Sequence, residues 1–265
     1  MPRLSRITVY PIKSLDGRDV AEAKVLPSGA LEHDRRYAVV DAQGRFVNGK
    51  RTAAIHPLRA EFDESLANVT LSGRGGSQTF RLPDEAATAA AWLSEELGVK
   101  CRLIENAGGG FPDDGSAPGP TLVSTASLAA AASWFDGLNA DEMRRRIRAN
   151  LEIEAPEPFW EDRLADDSAR PRRFSIGSVE YRGRTICERC VVPTRDSLTG
   201  VGIAGFARVF AERRQRDLPA WSPPEQFNHY YRLAINTSAE WVEEGAVLRI
   251  GDELTIRERR SGFPA

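Results

Sequence analysis

Cysteine is scarce in this chain. The 265 residues contain three cysteines, Cys101, Cys187 and Cys190, and an odd number with two of them so close in sequence does not suit a framework of disulfide bridges. This usage is typical of a reducing cytosol, so we expect a cytoplasmic protein. The first residues lack the basic and apolar segments of a secretory signal, and no run of about 18 apolar residues occurs. We therefore expect a soluble chain without membrane contact.

The chain also lacks an excess of either charge. Lys and Arg total 36 against 38 Asp and Glu, a formal net charge of −2. No overall field therefore attracts nucleic acid or a membrane surface, and neither is an expected partner. An anionic ligand has to be held by a local basic cluster.

Several cofactor and catalytic signatures are missing as well. The sequence contains no ferredoxin-type group of four cysteines, no glycine-rich nucleotide fingerprint after a strand and no heme-attachment motif. Electrons for redox chemistry would therefore come from a separate donor protein carrying flavin, heme or iron–sulfur. No recognisable Ser-His-Asp set or carboxylate pair supports hydrolysis.

Short strand-like segments dominate what is present. They are rich in β-branched and aromatic residues and bounded by turn residues, as in 5–12, 35–41, 58–71, 172–183 and 247–256. The 41% apolar content is enough for one large core or two modest ones. The sequence predicts a mainly β protein with several helices (α+β).

Helical spacing occurs in four segments. Residues 84–98 have Asp84 as a candidate N-cap and Gly98 as a stop signal, and 127–138, 141–149 and 203–217 also predict helices. Glycine and proline in residues 106–120 disfavour both helix and strand. We interpret that segment as a linker or an active-site lid.

The strongest chemical signal is the C-x-x-C pair Cys187 and Cys190, with Arg189 between them. A structural zinc site needs about four protein ligands, but only Cys101 and three scattered histidines (His33, His56, His229) remain. A thioredoxin-like pair needs a strand-to-helix context, which the proline-containing turn after Cys190 does not offer. The third possibility is a single metal-binding thiolate. The guanidinium of Arg189 would favour the charged form of the sulfur, and a thiolate is a soft ligand that suits a thiophilic metal. Spacing alone does not separate this from a buried free cysteine.

The order of several motifs adds a family resemblance. They are VYPIKS (9–14), LEHDRRYAVVDAQGRFV (31–47), RANLEI (148–153), FSIGSVEYRG (174–183), CERCVVPTRDSLTG (187–200) and VLRIGDEL (247–254). Together they resemble MOSC-domain proteins over nearly the whole chain. The resemblance implies an N-terminal MOSC β-barrel domain (1–105), the linker or lid (106–120) and a MOSC β-barrel domain (121–265). In architecture the chain is similar to the mitochondrial amidoxime-reducing component and its bacterial counterparts, which reduce N-hydroxylated compounds.

The same resemblance implies a set of site residues. Cys190, the cysteine of the Arg-Cys pair, becomes the protein ligand of molybdenum. The residues that would approach the cofactor's pterin and phosphate are Lys13, Ser14, Arg35, Ser124, Thr125, Ser127, Arg148 and Asn150. Their chemistry is suitable, because ammonium, hydroxyl and guanidinium groups and a helix start all bind phosphate. Thr125 departs from the acidic residue that the animal reductases carry there.

Other roles remain open at this stage. We expect Arg195 or Asp196, in the turn after Cys190, to deliver protons, and the run 144–146 to be a solvated helix face. Cys187 has no assigned role. The expected function is a molybdenum-cofactor-dependent reduction of N-hydroxylated small molecules. The alternatives are a non-catalytic carrier of the cofactor or of a persulfide on Cys190, and a plain two-barrel domain with inert cysteines.

Overall fold

The computed structural model describes residues 1–167 and 171–257. Residues 168–170 and 258–265 of the second predicted domain therefore lie outside the described residues. Within those two ranges, no helix has the length and apolar character needed to cross a membrane.

The described chain forms fifteen strands and four α-helices. The strands are β1 (Arg3–Val9), β2 (Arg18–Val20), β3 (Glu22–Lys24), β4 (Tyr37–Asp41), β5 (Arg59–Phe62), β6 (Asn68–Gly73), β7 (Gly76–Arg81), β8 (Cys101–Glu105), β9 (Leu122–Ser124), β10 (Leu151–Glu154), β11 (Arg172–Ile176), β12 (Val179–Glu188), β13 (Arg232–Ser238), β14 (Val247–Arg249) and β15 (Leu254–Ile256). The helices are α1 (Ala86–Leu97), α2 (Thr125–Ser133), α3 (Ala140–Ile147) and α4 (Phe206–Arg216). The predicted class, mainly β with several helices, is confirmed.

An eight-stranded sheet joins the two halves of the chain. Its order is β15-β11-β12-β13-β9-β10-β1-β2. All neighbouring strands are antiparallel except β9 and β10. β1 pairs with β10, with Ile7 opposite Leu151, and β3 likewise pairs with β14, with Ala23 opposite Leu248. Strands of the first hundred residues therefore share sheets with strands from the second half.

The apolar core follows the same arrangement. The larger cluster combines Leu4 and Phe80 with Phe174 and Tyr181, all at most 1% exposed. A second cluster packs α2, α3 and α4 against the sheet through residues such as Phe210. The larger core is thus built from both halves of the chain, while the predicted domain limits at 105 and 120 stay predictions.

The predicted helices all form, with shifted ends. α1 ends as expected at Gly98, which has a left-handed φ of 65°. Its N-cap is Glu85 rather than Asp84, and no side chain caps it. α2 starts two residues earlier than expected, because the Ser124 side chain accepts a hydrogen bond from the Ser127 amide.

The strand predictions differ more from the structure. Residues 44–49, which are also strand-like in sequence, form no strand and contribute an isolated bridge between Val40 and Phe46. The sequence patterns did not indicate β7, β8, β9 or β13. Ile235 in β13 lies opposite Leu122 in β9, so both strands sit at the centre of the large sheet. Strands buried on both faces lack the apolar–polar alternation on which the prediction relied.

A close backbone contact yields a stability prediction. A Cβ atom at Gly183 in β12 would lie 1.8 Å from the Leu164 carbonyl oxygen. That oxygen belongs to the 3₁₀ turn Trp160–Leu164 packed on the strand. We expect Gly183→Ala to lower the free energy of unfolding by about 3 kcal/mol, measured by urea denaturation. Gly115→Ala is the control, since a Cβ there meets nothing within 4 Å. Equal stability of the two variants would contradict this packing.

Candidate functional site

Two segments that are distant in sequence meet at one end of the large sheet. The Thr8 amide in β1 donates to the Asn150 carbonyl, at 2.7 Å. Because β1 and β10 are antiparallel, the segment after β1 runs beside the segment before β10. The Arg148 guanidinium carbon consequently lies 4.2 Å from the centre of the Tyr10 ring. The sheet register thus brings the predicted Lys13 and Ser14 segment beside the predicted Arg148 and Asn150 segment.

Asp34 connects these segments. Its carboxylate accepts hydrogen bonds from the Tyr10 amide at 3.0 Å and from the Asn150 side chain at 2.8 Å, and it forms an ion pair with Arg35. Arg35 also donates to Oδ1 of Asn150, at 3.2 Å. The buried Asn150 amide is therefore used within the protein, where it helps to orient Arg35.

These segments open into a large cavity of about 1040 Å³. The predicted residues in its wall are Lys13, Ser14, Arg35, Arg148, Asn150, Cys190 and Arg195. Twelve Lys or Arg residues line the cavity, against seven Asp or Glu, although the whole chain carries a net charge of −2. The local basic cluster that an anionic ligand needs is present at this one place.

Three of the lining arginines, Arg148, Arg189 and Arg195, form no ion pair with a carboxylate in the described parts of the chain. Their guanidinium groups donate instead to backbone carbonyls: Arg148 to Leu15, Arg189 to Ile147 and Arg195 to Gly49, each at 2.6 Å. Burial lowers the pKa of Arg148, which shows that its charge is partly desolvated. Partly buried cations without counter-charge are costly, so their placement favours an anionic ligand.

Backbone strain is found at the same place. Ser14, Arg35 and Arg148 have left-handed φ angles of 73°, 49° and 56°, and all three line the cavity. For a residue with a side chain this conformation costs on the order of 1–2 kcal/mol. The surrounding hydrogen bonds hold the three residues there, which is common at binding sites.

The two neighbouring cysteines differ in their surroundings, although both line the cavity. Cys187 is buried, its thiol donates to Oδ1 of Asn236 at 2.7 Å, and burial raises its pKa to about 11. Cys190 is only half-buried, and the Val192 amide points at its sulfur from 3.5 Å. Cys187 is therefore a protonated thiol at neutral pH, whereas Cys190 is the accessible sulfur.

Three predicted cofactor-binding residues lie outside the cavity lining. Ser124 caps α2, and Ser127 is buried and donates to Glu161 at 2.8 Å. Thr125 is exposed and donates to the Ile153 carbonyl, at 3.4 Å. Their hydroxyls serve the protein's own hydrogen bonding, as capping requires. The structure does not bring these three residues together with Cys190.

The predicted proton donors are also poorly placed. Burial alone would raise the pKa of Asp196, but hydrogen bonds from Thr199 and Leu198 hold it below the ordinary value. Asp196 is therefore ionised at neutral pH, and it is not part of the cavity lining. Arg195 does line the cavity, but a guanidinium keeps its proton. Arg195 is thus suited to binding an anion, and neither residue is suited to donating a proton.

The prediction of a solvated helix face at 144–146 was wrong for two residues. Arg146 is 3% exposed and donates to Glu142 at 2.6 Å and to the Pro193 carbonyl at 3.2 Å. Arg144 pairs with Glu152 at 2.6 Å. The reason is that α3 packs against the turn that follows Cys190, so these charges face the protein.

Three other lining residues were missed. Lys50 and Asp113 carried no sequence signal, and His56 was considered only as an unpaired zinc ligand. Burial, and then the charge of Arg195, lower the pKa of His56, so its imidazole is neutral at pH 7. Its buried Nε2 has no hydrogen-bond partner among the described residues. His56 is therefore the cavity residue best suited to exchanging a proton.

Comparison with known proteins gives a family match for the first part of the chain. Residues 1–97 match the family model described as the MOSC N-terminal beta barrel domain. This match supports the predicted resemblance of the chain to MOSC-domain proteins. Its relatives include proteins named molybdenum cofactor sulfurase from Danio rerio, 27% identical over 80% of this chain, and from Drosophila pseudoobscura pseudoobscura, 25% identical over 75%. The chain spans 30% of the length of each of these two relatives.

Among solved structures, the chain is similar to the YUAD protein from Bacillus subtilis. The match covers 97% of this chain and 96% of that chain, at 10% identity and a TM-score of 0.40. A TM-score of this size carries no argument about function.

No group of three or more His, Cys, Asp or Glu residues in ranges 1–167 and 171–257 is arranged to hold a metal ion.

The Ser127 contact leads to a prediction about pH. Burial, and then the neighbouring Asp162, raise the pKa of Glu161 from 4.5 to about 7. A raised carboxyl pKa stabilises the fold fully below about pH 4.5, and this stabilisation is lost as the pH rises through 7. Glutamine does not titrate, so its unfolding free energy lacks this pH dependence. The difference in unfolding free energy, Glu161→Gln minus wild type, should therefore increase by up to about 3 kcal/mol from pH 5 to pH 8.

Urea unfolding at the two pH values measures this difference. Glu157→Gln serves as the matched control, because the Glu157 side chain is 52% exposed and should show no comparable pH dependence. A gain for Glu161→Gln that is the same at pH 5 and pH 8 would show that the carboxyl group is not protonated in the folded state.

Proposed function

We propose that this protein binds the molybdenum cofactor in the basic cavity, with the Cys190 thiolate as the metal ligand, and reduces N-hydroxylated small molecules. The observation that carries the proposal is the combination in one cavity of an accessible thiol with three arginines that have no carboxylate partner among residues 1–167 and 171–257. The names of the relatives connect this type of chain with the same cofactor. Electrons would come from a separate donor protein.

The cavity residues suit such a cofactor. A volume of about 1040 Å³ lies at the upper end of ordinary ligand pockets, so it accommodates a pterin and leaves space for a substrate. Lys13, Arg35 and Arg148 supply the positive charge that a phosphate group requires. The hydroxyl of the strained Ser14 accepts a hydrogen bond from the Gly49 amide, at 3.3 Å. This contact holds Ser14 at the cavity wall with its own proton available for donation.

The two cysteines take separate roles in this proposal. A soft metal is bound by a thiolate, and Cys190 is the accessible sulfur. The high pKa of Cys187 keeps a proton on that sulfur, and its hydrogen bond to Asn236 directs it away from ligation. Cys187 therefore shapes the wall beside the ligand without binding the metal.

The remaining chemistry is divided between the cofactor and the chain. When bound, the cofactor supplies the two-electron removal of oxygen from nitrogen. The side chains orient and insulate it. Loss of the oxygen as water requires protons, and the neutral His56 imidazole is the proton carrier we assign in place of Asp196.

A second candidate function is favoured by the relatives' names. In this alternative Cys190 carries a persulfide and hands over sulfur or intact cofactor, with no substrate reduced. The same accessible thiol and the same anion-binding wall support it. The two functions differ in what is bound to Cys190 in the purified protein.

Metal analysis of the variants tests the proposal. We expect stoichiometric molybdenum in the protein made in a molybdenum-sufficient host. Cys190→Ser should lose at least about 90% of it, because a hydroxyl is a poor substitute for a thiolate. Cys187→Ser is the matched control and should keep its molybdenum, since serine can also donate to Asn236. Elemental analysis measures the metal, and mass spectrometry of the intact protein detects a persulfide.

The outcomes separate the candidates. Molybdenum that depends on Cys190, together with reduction of benzamidoxime by an artificial electron donor, supports the reductase. A persulfide on Cys190 without metal supports the carrier. Equal metal loss in both cysteine variants, or inactivity of loaded protein on several N-hydroxylated compounds, would count against the reductase.

A further inference from the structure

The segment predicted as a linker or lid crosses the cavity as a strap, which we define as residues 111–119. It forms neither helix nor strand. The Phe111 amide donates to the Arg35 carbonyl and the Gly119 amide donates to the Thr237 carbonyl, both at 2.9 Å. The strap is therefore attached at one end to the first half of the chain and at the other end to β13.

Between these attachments, Asp113 reaches the basic wall. Its carboxylate lies 2.6 Å from the Lys13 ammonium and 3.3 Å from the Lys50 ammonium. Lys13 also donates to the Phe111 carbonyl of the strap, at 2.8 Å. The side chain of Lys13 is 8% exposed, whereas that of Asp113 is 55% exposed. The strap thus supplies a counter-ion to a lysine that is otherwise buried.

The charge state of Asp113 agrees with this role. Burial would raise its pKa, but the charges of Lys13 and Arg35 outweigh burial and hold that pKa well below the ordinary value. The carboxylate is therefore ionised at neutral pH. Lys13 and Lys50 are therefore already paired with a carboxylate of the protein, at the position where the anionic group of a ligand would bind.

We propose that Asp113 is a specificity-determining residue that competes with anionic ligands for Lys13 and Lys50. This inference rests on the proposed function insofar as the cavity binds an anion. A singly charged ligand that displaces Asp113 replaces one negative charge beside the two lysines with another. The net electrostatic gain on binding is therefore small. A phosphate monoester or a pyrophosphate brings two or more charges to the same two ammonium groups, so its attraction exceeds that of Asp113. The strap therefore admits multiply charged ligands at concentrations at which a singly charged ligand does not displace Asp113.

Calorimetric titration of the cofactor-free 265-residue chain tests the proposal, with inorganic pyrophosphate and benzoate as probes. Asp113→Asn removes the competing charge and should bind pyrophosphate about fivefold more tightly. The affinity for benzoate should rise by a similar factor, because both probes displace the same carboxylate, so that weak binding of benzoate becomes measurable. Asp113→Glu keeps the charge and should behave like the wild type.

Asp114→Asn is the matched control. This variant makes the same change of charge in the strap, but the Asp114 carboxylate accepts from the Ser116 amide at 2.9 Å and hydroxyl at 2.6 Å. Asp114 also lines the cavity but does not pair with Lys13 or Lys50, so the affinities of this variant should change far less than those of Asp113→Asn. A general effect of net charge would instead appear in both asparagine variants and would overturn the proposal.

Two further outcomes are distinguishable. If the wild type binds pyrophosphate and Asp113→Asn binds it no more tightly, Asp113 does not compete, and this inference alone is wrong. If neither protein binds pyrophosphate, the cavity is not an anion site, and the proposed function fails together with the inference.

Discussion

The antiparallel pairing of β1 with β10 is the constraint on which the rest of the site depends. With Ile7 opposite Leu151, the residues after β1 and before β10 run side by side, and Tyr10 lies under the Arg148 guanidinium. A shift of one residue would turn Ile7 and Leu151 out of the core. Burial of these residues therefore determines the register, and the register places the cavity.

The cations of the cavity wall differ in how their charges are paired. Arg144 and Arg146 are neutralised by glutamates, and their positions are explained by folding alone. Arg148, Arg189 and Arg195 are held by backbone carbonyls, which orient a guanidinium without cancelling its charge. Lys13 belongs to an intermediate class, since its partner Asp113 is half exposed and sits on a strap. The wall thus combines fixed positive charge with one exchangeable counter-ion.

Backbone strain at Ser14, Arg35 and Arg148 coincides with the cavity wall, which all three residues line. The hydrogen bonds of Asp34 and Asn150 hold Arg35, and the Leu15 carbonyl holds Arg148. The strained backbone lowers the stability of the fold at the site. Burial in the large core, which both halves of the chain share, compensates for this loss.

The sequence by itself determined the class of fold, the four helices and the family resemblance. Helix spacing and stop signals such as Gly98 are local, and ordered motifs such as Y-P-I-K-S and R-C need no structure to be recognised. The central strands β9 and β13 escaped prediction because strands buried on both faces show no alternation. The hydroxyls of Ser124 and Ser127 looked like ligand groups, but only packing shows that they serve a cap and Glu161.

Only the tertiary structure decided which charges are paired and which thiol is accessible. Arg148 and Arg144 look alike in sequence, but the Glu152 carboxylate that pairs with Arg144 comes from β10. Cys187 and Cys190 are likewise equivalent by spacing and differ through burial and Asn236. Asp113 lies a hundred residues from Lys13, so their ion pair has no local signature. Electrostatic interactions depend on distance in space and on burial, and neither can be read from the order of residues.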